Sequence, residues 1–124
     1  ALDYTMSRTQ FGRSLASFQL TQDKLADMLI RVNRAHLLAL HLGKLKDAGE
    51  LTPAQISFGK KDNVAQALHV AREARAMLGA NGITLEYPII RHMNNLESVY
   101  TYEGTNEVHT LVLGQSITGM GAFR

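Results

Sequence analysis

The motif Thr52-Pro53-Ala54-Gln55 separates two long stretches of helical periodicity and constrains the fold more than any other feature. Thr52 is a favourable N-cap, Pro53 suits the first helical position, and Gln55 can complete a capping box. Apolar residues recur at steps of three and four on both sides, which predicts helices over about residues 14–47 and 53–78. Because short connections make such helices antiparallel neighbours, the sequence predicts an all-α, up-and-down helical bundle.

One face of each long helix is predicted to pack against neighbouring helices. In the first helix this face consists of Leu15, Phe18, Leu25, Leu29, Val32, Ala35, Ala39 and Leu42. In the second helix it consists of Val64, Ala67, Leu68, Ala71, Ala74 and Leu78. The three alanines would let another helix approach closely.

Shorter elements bring the prediction to four or five helices, two of them long. Residues 1–7 are expected to be the last turns of a helix that begins earlier, so the 124 residues are expected to be a single domain, 1–124, of a longer protein. Pro88 is predicted to open a shorter helix, residues 99–103 a loop, and residues 106–118 the last helix.

Composition excludes several function classes. The chain has no cysteine, which removes disulfides, thiol nucleophiles and cysteine metal sites and fits a reducing compartment. It has no long apolar run, so no membrane span is expected. Its net charge is +2, and the one adjacent basic pair, Lys60-Lys61, is followed at once by Asp62. Nucleic-acid binding is therefore not expected, because such proteins concentrate positive charge in a patch.

The usual catalytic and metal-binding motifs are also missing. None of the 5 histidines forms a Glu-x-x-His pair of the di-iron type, and no zincin motif occurs, so no metal site is expected. No serine lies in a nucleophile elbow. The segment Gly79-Ala80-Asn81-Gly82 follows a predicted helix rather than a strand, so it is not a dinucleotide-binding fingerprint.

The loop Tyr100–Glu107 places a lone carboxylate, Glu103, before Gly104 and just ahead of a helix start. Thr105 or Asn106 is the predicted N-cap of that helix. An unpaired Glu in such a loop suits removal of a proton from a carbon acid, provided that a cofactor accepts the electrons. The alternative is that Glu103 is simply an acidic residue beside a helix N-terminus, which favours negative charge.

Several segments, in order and with matching spacing, resemble the acyl-CoA dehydrogenases. They are Arg8–Gly12 with Gln19, Ala74–Ile83 followed by Glu86-Tyr87, and Thr101–Thr105. The amino-acid sequence of residues 91–105, together with Leu113-Gly114 and Ile117–Gly119, is most similar to the glutaryl-CoA dehydrogenase branch. The resemblance implies a C-terminal helical domain that follows an N-terminal helical domain and a middle β domain.

The resemblance also implies an activity. Glu103 would be the base that removes the α-proton of an acyl-CoA while the β-hydride passes to FAD, and Tyr102 and Gly104 would line the acyl thioester. In the glutaryl branch, which serves lysine and tryptophan degradation, the product then loses CO2 to give crotonyl-CoA. Alternatives are another short-chain acyl-CoA substrate, a glutaryl enzyme that does not decarboxylate, or a helical assembly module without catalysis.

FAD contacts are implied at three further places. The residues are Arg8, Phe11 and Gln19, then Ala76, Met77, Leu78, Gly79 and Ala80, and finally Thr105, Asn106, Glu107 and Phe123. Arg8 and Gln19 match residues that hold the pyrophosphate and adenosine end, often on a neighbouring subunit, and a guanidinium suits a pyrophosphate. Two departures occur: Ala80 replaces a usual second glycine, and Ala76 replaces a commonly polar residue.

The resemblance finally implies partners and a compartment. These are an acyl-CoA substrate, a homotetramer and an electron-transfer flavoprotein, in the cytoplasm of a bacterium or the mitochondrial matrix of a eukaryote. The 124 residues alone are expected to self-associate, to be inactive and not to hold FAD tightly, because the β domain would be absent.

Overall fold

A computed structural model describes residues 1–122, and in that part the chain is a bundle of five α-helices. They are α1 (Leu2–Ser7), α2 (Gln19–Asp47), α3 (Pro53–Met77), α4 (Ile89–Thr101) and α5 (Asn106–Thr118). Short 3-10 turns cover Leu15–Ser17 and Gly79–Ile83. The predicted all-α fold with two long helices is confirmed. No helix of the described residues is long and apolar enough to cross a membrane.

A small hairpin precedes α2, which the sequence did not predict. Strands β1 (Thr9–Gln10) and β2 (Arg13–Ser14) pair antiparallel. Phe11 and Gly12 between them both have positive φ, 52° and 77°, as a tight type I′ turn requires. The prediction that the long helix starts near Ser14 is therefore wrong, because β2, a 3-10 turn and the extended Phe18 come before it.

The reversal between α2 and α3 forms as the sequence predicts. Gly49 has φ 73°, and the Glu50 N–H donates to the Leu45 carbonyl at 2.8 Å, which closes α2 with a Schellman motif. Thr52 then opens α3: its Oγ1 accepts from the Gln55 N–H at 3.3 Å, and Gln55 Oε1 accepts from the Thr52 N–H at 2.8 Å. The predicted capping box is confirmed.

Helix α3 lies at the centre of the bundle and contacts α2, α4 and α5. Four residues of its predicted packing face are buried, namely Leu68, Ala71, Ala74 and Leu78. Ser57 and Gly59 are also buried near its start. The small side chains let the neighbouring helices approach closely, so the core of the described residues is narrow and built mainly from α3.

Helix α2 packs by a face that overlaps the predicted one only in part, since Leu25, Ala35 and Leu42 are half-buried but other predicted residues are exposed. No residue of α2 is fully buried, and Leu29 and Val32 of the predicted face are 65% and 39% exposed. The half-buried positions that repeat along the helix are Lys24, Met28, Arg31, Ala35, Leu38, Leu42 and Leu45. Periodicity identified this face only in part because α2 carries apolar residues on several sides, including exposed Ile30, Leu37 and Leu40.

The chain has an unusually large surface for its mass. The accessible area is 8428 Å². A compact monomer of 13.7 kDa would expose about 6,600 Å². The difference is of the size that an interface with other protein surface covers.

Polar contacts add to the packing of α2 on α3. Asp27 Oδ2 accepts from Arg31 Nε at 2.6 Å and lies 3.0 Å from His69 Nε2 on α3. Arg31 Nη1 donates to Gln66 Oε1 at 2.6 Å. The hydrogen bond from Arg31 lowers the pKa of the Asp27 carboxyl; burial opposes this, and the contact with His69 adds to it.

Helix α4 is longer than predicted, and α5 matches its predicted bounds. The prediction that a loop begins at residue 99 is wrong, because α4 continues to Thr101. Val99 and Tyr100 are half-buried, so packing extends the helix. Thr105 caps α5, its Oγ1 accepting from the Val108 N–H at 3.3 Å.

Replacing Gly82 by Ala should destabilise the fold. Gly82 is buried in the turn after α3, and a Cβ there would overlap the backbone carbonyl oxygen of Arg75, which cannot swing away. We expect a loss of about 2 kcal/mol in the free energy of unfolding, measured by denaturant titration. The control is Gly43→Ala in α2, where no atom lies within 4 Å. It should gain about 0.5 to 1 kcal/mol. Similar effects of the two changes would contradict the described packing.

The contribution of Asp27 to the stability of the α2–α3 packing should be lost in acid. A carboxyl whose pKa is lowered on folding stabilises the fold above its ordinary pKa, and the contribution is lost as pH falls through the folded pKa. We expect Asp27→Asn to lower the midpoint of denaturation at pH 7, and the difference from the parent to shrink below the ordinary Asp value of 3.8. Asp23→Asn on the same helix is the charge-matched control. A difference that stays constant from pH 7 to pH 2 would contradict this account.

Candidate functional site

The loop between α4 and α5 presents Glu103 in an uncommon backbone conformation. Glu103 has φ 53° and Gly104 has φ 91°. Left-handed backbone at a residue other than glycine costs about 1 to 3 kcal/mol and persists only where surrounding contacts hold it. The Glu103 and Tyr102 side chains are both exposed. A carboxylate on such a loop can meet a ligand from solvent without rearrangement of the bundle.

Lys60 of α3 holds this loop from one side. Its Nζ donates to the backbone carbonyl oxygens of Tyr102, of Glu103 at 3.3 Å and of Gly104 at 2.5 Å. The ammonium also lies 5.9 Å from the centroid of the Tyr102 ring. Three consecutive carbonyl groups of the loop therefore point at one cation.

His109 of α5 supports the loop from beneath. It is only 9% exposed, and its Nδ1 shares a 3.1 Å hydrogen bond with Ser57 Oγ of α3. Its Nε2 has no hydrogen-bond partner among the described residues and faces Gly104. A Cβ on Gly104 would lie 2.9 Å from this nitrogen. Glycine is therefore required here both for its positive φ and for the space that His109 occupies.

The start of α5 is fixed by a second lysine. Lys61 Nζ donates to Asn106 Oδ1 at 3.0 Å and to Thr110 Oγ1 at 2.7 Å. At Glu107 a hydrogen bond from the residue's own backbone N–H, and then one from the Thr105 side chain, lower the pKa of the carboxyl, with a smaller effect of Lys61. The first turn of α5 thus carries an ionised carboxylate that accepts from a backbone N–H, as the helix dipole favours.

A second feature is a polar cleft of about 570 Å³ at the opposite end of α3. It brings Arg8 together with the whole predicted segment Ala76–Ala80. Its other lining residues are Tyr4, Gln10, Leu15, Leu20, Thr21, Lys24 and Asn81. Asn81 Nδ2 donates to the Tyr4 hydroxyl at 3.0 Å and so links the turn after α3 to α1.

The cleft is suited to an anionic ligand. Arg8 is exposed, and Lys24 lies at the wall with its Nζ 2.8 Å from Glu73 Oε2. Gly79 has φ 59° with no atom within 4 Å of its Cβ position, so the backbone is open to close approach. Leu78 is buried in the core, so only its backbone can face a ligand. Guanidinium and ammonium groups beside open backbone are what a pyrophosphate requires.

Other predicted cofactor residues lie outside this cleft. Phe11 is 91% exposed at the hairpin tip, with its ring edge-to-face to Phe18 at 6.3 Å. Gln19 is the exposed first residue of α2. The residues Thr105, Asn106 and Glu107 are beside the Glu103 loop. From Lys60 to Ala76, α3 rises about 24 Å, so the loop and the cleft are two separate places. Phe123 lies outside the described residues.

The sequence did not identify the residues that support these places. In the sequence Lys60 is only half of a basic pair, and 43 positions separate it from Glu103. His109 and Ser57 carried no motif, and neither did Tyr4 or Lys24 in the cleft. Only the fold brings them to the loop and to the cleft. Within residues 1–122 no group of three or more His, Asp or Glu side chains could hold a metal ion.

The chain is similar to proteins of known family over nearly its whole length. The family described as acyl-CoA dehydrogenase, C-terminal domain, matches residues 1–118. Two Mycobacterium smegmatis crystal structures align with TM-score 0.96 over 99% of this chain and 32% of theirs. One is a glutaryl-CoA dehydrogenase at 62% identity, and the other is a glutaryl-CoA dehydrogenase in complex with FADH2 at 54%.

A more distant relative gives the same family. The short-chain specific acyl-CoA dehydrogenase of Megasphaera elsdenii is 34% identical over 117 residues, which cover 94% of this chain and 30% of that protein. This chain therefore spans about a third of the length of the relatives that it matches.

Gly104→Ala should cost more stability than a glycine replacement that meets only backbone strain. The new Cβ would press on His109, which Ser57 holds in place. The control is Gly49→Ala, where φ is 73° and no atom lies within 4 Å. We expect Gly104→Ala to lose about 1 kcal/mol more than the control in denaturant unfolding. Adding His109→Ala should remove this excess. Equal losses for Gly104→Ala and Gly49→Ala would contradict the close contact.

Proposed function

Because the chain belongs to the acyl-CoA dehydrogenase family, as a C-terminal domain of that family, we propose that it supplies the catalytic base of an FAD-dependent glutaryl-CoA dehydrogenase. The membership confirms the resemblance seen in the sequence motifs. The observation that carries the proposal is the exposed Glu103 carboxylate, presented on left-handed backbone between Tyr102 and Gly104.

In this proposal the chain is one domain of a longer enzyme. An N-terminal helical domain and a middle β domain would complete the substrate site. Two observations support this: the chain spans about a third of its relatives, and its surface exceeds that of a compact monomer. The exposed apolar side of α2 is a surface that further protein can cover.

The chemistry of the loop follows from its residues. Glu103 removes the α-proton of the acyl-CoA: the α C–H bond breaks, and a carboxyl O–H bond forms. The electron pair left on the α-carbon forms the double bond as the β-hydride departs. Gly104 has no side chain, and Tyr102 is exposed, so a thioester can approach the carboxylate between them. We assign these two residues to the substrate.

FAD is the cofactor of this enzyme and, when bound, supplies the hydride acceptor. The cleft with Arg8, Lys24 and residues 76–80 has the cations and open backbone that its pyrophosphate needs. The start of α5, with the positive end of its helix dipole and the Asn106 side chain, would face a second polar edge. Since these places lie about 24 Å apart along α3, we propose that the cleft serves the cofactor of a neighbouring subunit, with Phe11 and Gln19 beside it.

The proposed substrate is glutaryl-CoA, with decarboxylation to crotonyl-CoA. The similarity to the two M. smegmatis glutaryl-CoA dehydrogenases supports this choice over other acyl chains. The same enzyme would act in lysine and tryptophan degradation, assemble as a homotetramer, and pass electrons to an electron-transfer flavoprotein. Its compartment would be the bacterial cytoplasm or the mitochondrial matrix. A dehydrogenase for another short-chain acyl-CoA is the second candidate, supported by the similarity to the M. elsdenii protein.

An anaerobic titration of the full-length enzyme with glutaryl-CoA tests the proposal. We expect the oxidised flavin band to bleach promptly in the parent. Glu103→Gln should keep the flavin and the fold but lose bleaching by at least about 100-fold, because the base is gone. Glu50→Gln, which removes an exposed carboxylate from the turn between α2 and α3, is the matched control and should retain the parent rate within about threefold.

Each other result has a definite meaning. Bleaching that persists in Glu103→Gln would overturn the assignment of the base and favour a helical assembly role for this domain. Bleaching by butyryl-CoA but not by glutaryl-CoA would keep the family and reject the substrate. Release of CO2 from glutaryl-CoA, captured in base, distinguishes decarboxylation from simple dehydrogenation.

A further inference from the structure

We propose that Lys60 is a positioning residue for the Glu103 base: its ammonium holds the loop carbonyls and thereby sets the direction in which the carboxylate points. The inference rests on the proposed function of Glu103. It concerns a residue of α3 that transfers no proton in the reaction. Lys60 acts through the backbone of the loop.

The donor and acceptor numbers match at this contact. A lysine ammonium has three N–H donors and no acceptor. Three consecutive carbonyl oxygens, of Tyr102, Glu103 and Gly104, lie within hydrogen-bond distance of its Nζ. Consecutive carbonyls converge on one point only when the backbone turns sharply, and here the turn comes from the positive φ of Glu103 and Gly104. Lys60 therefore stabilises the conformation that is otherwise costly.

The position also explains why the group is a cation. Helix α4 ends at Thr101, and its last carbonyls carry partial negative charge without intrahelical partners. The last turn of α4 contains no basic residue. Lys60 supplies the missing positive charge from another helix, at the point where α4 gives way to the loop. A neutral side chain of similar length would leave the carbonyl groups converging without a donor.

The neighbouring lysine separates this role from general packing of α3 on α5. Lys61 contacts the Asn106 and Thr110 side chains, and none of its hydrogen bonds reaches the loop carbonyls. Both lysines connect α3 to the same region, and both have partly buried contacts. Removing Lys61 should leave the hydrogen bonds between Lys60 and the loop carbonyls in place. The pair is therefore a matched test of the proposal.

Lys60→Met, Lys60→Arg and Lys61→Met in the full-length enzyme test it by stopped-flow flavin reduction with glutaryl-CoA. A displacement of a reacting group by about 1 Å can cost about 100-fold in rate. We expect Lys60→Met to reduce the rate at saturating substrate by 10- to 100-fold. The glutaryl-CoA concentration that gives half of the maximal rate should change by less than about threefold. The loop displacement affects the reacting geometry more than it affects substrate binding.

Two further readouts would stay unchanged if Lys60 had a purely structural role. The isotope effect with α-deuterated glutaryl-CoA should grow in Lys60→Met, since proton removal becomes slower relative to other steps. The rate and the isotope effect of Lys60→Arg should lie between those of Lys60→Met and the parent, because arginine keeps the charge but not the compact ammonium group with three donors. Lys61→Met should stay within about threefold of the parent. If Lys60→Met does not fold with flavin, the same isotope effect in Lys60→Arg decides.

Contrary outcomes are distinguishable. A parent-like rate and isotope effect in Lys60→Met would overturn the proposal, and so would an equal loss in Lys61→Met. Glu103→Gln is run in the same series. If Glu103→Gln remains active, the assignment of the base fails; if it is inactive while Lys60→Met is fully active, only the positioning role fails.

Discussion

The close packing of neighbouring helices on α3 is the contact on which the rest of the structure depends. Ala71 and Ala74, with Leu68, form a narrow buried face, and α2, α4 and α5 all contact this helix. Small side chains make that approach possible. The same packing brings Ser57 and Lys60 to the underside of the loop at one end of α3, while Arg75–Leu78 lead into the cleft at the other end. Both candidate sites are thus built on the two ends of one rigid element.

The parts of the fold that local chemistry determines could be predicted from the sequence. Thr52 with Gln55, and Thr105 with the Val108 N–H, place the starts of α3 and α5 because caps satisfy orphan amides within a few residues. The start of α2, the end of α4 and the β1–β2 hairpin depend on packing and on the left-handed backbone at Phe11, which no short pattern specifies. The packing face of α2 could be predicted only in part for a related reason, since several sides of this helix are apolar.

The candidate site divides in the same way. Glu103 and Gly104 stand out in the sequence, because a lone carboxylate beside a glycine at a helix start is a recognisable pattern. Their supports do not, since Lys60 is 43 residues from Glu103 and His109 is one histidine among 5. A base needs a fixed direction as well as a suitable group, and the direction comes from long-range contacts. The loop geometry therefore adds what the motif alone could not supply.

The most direct test of the central claim is exchange of the substrate's α-proton with solvent. The full-length enzyme with reduced flavin would be incubated with glutaryl-CoA in D2O, and deuterium at the α-carbon followed by mass spectrometry. If Glu103 removes this proton, the parent should incorporate deuterium at a rate far above the uncatalysed one, and Glu103→Gln should not exceed the uncatalysed rate. Equal incorporation by the parent and Glu103→Gln would contradict the account.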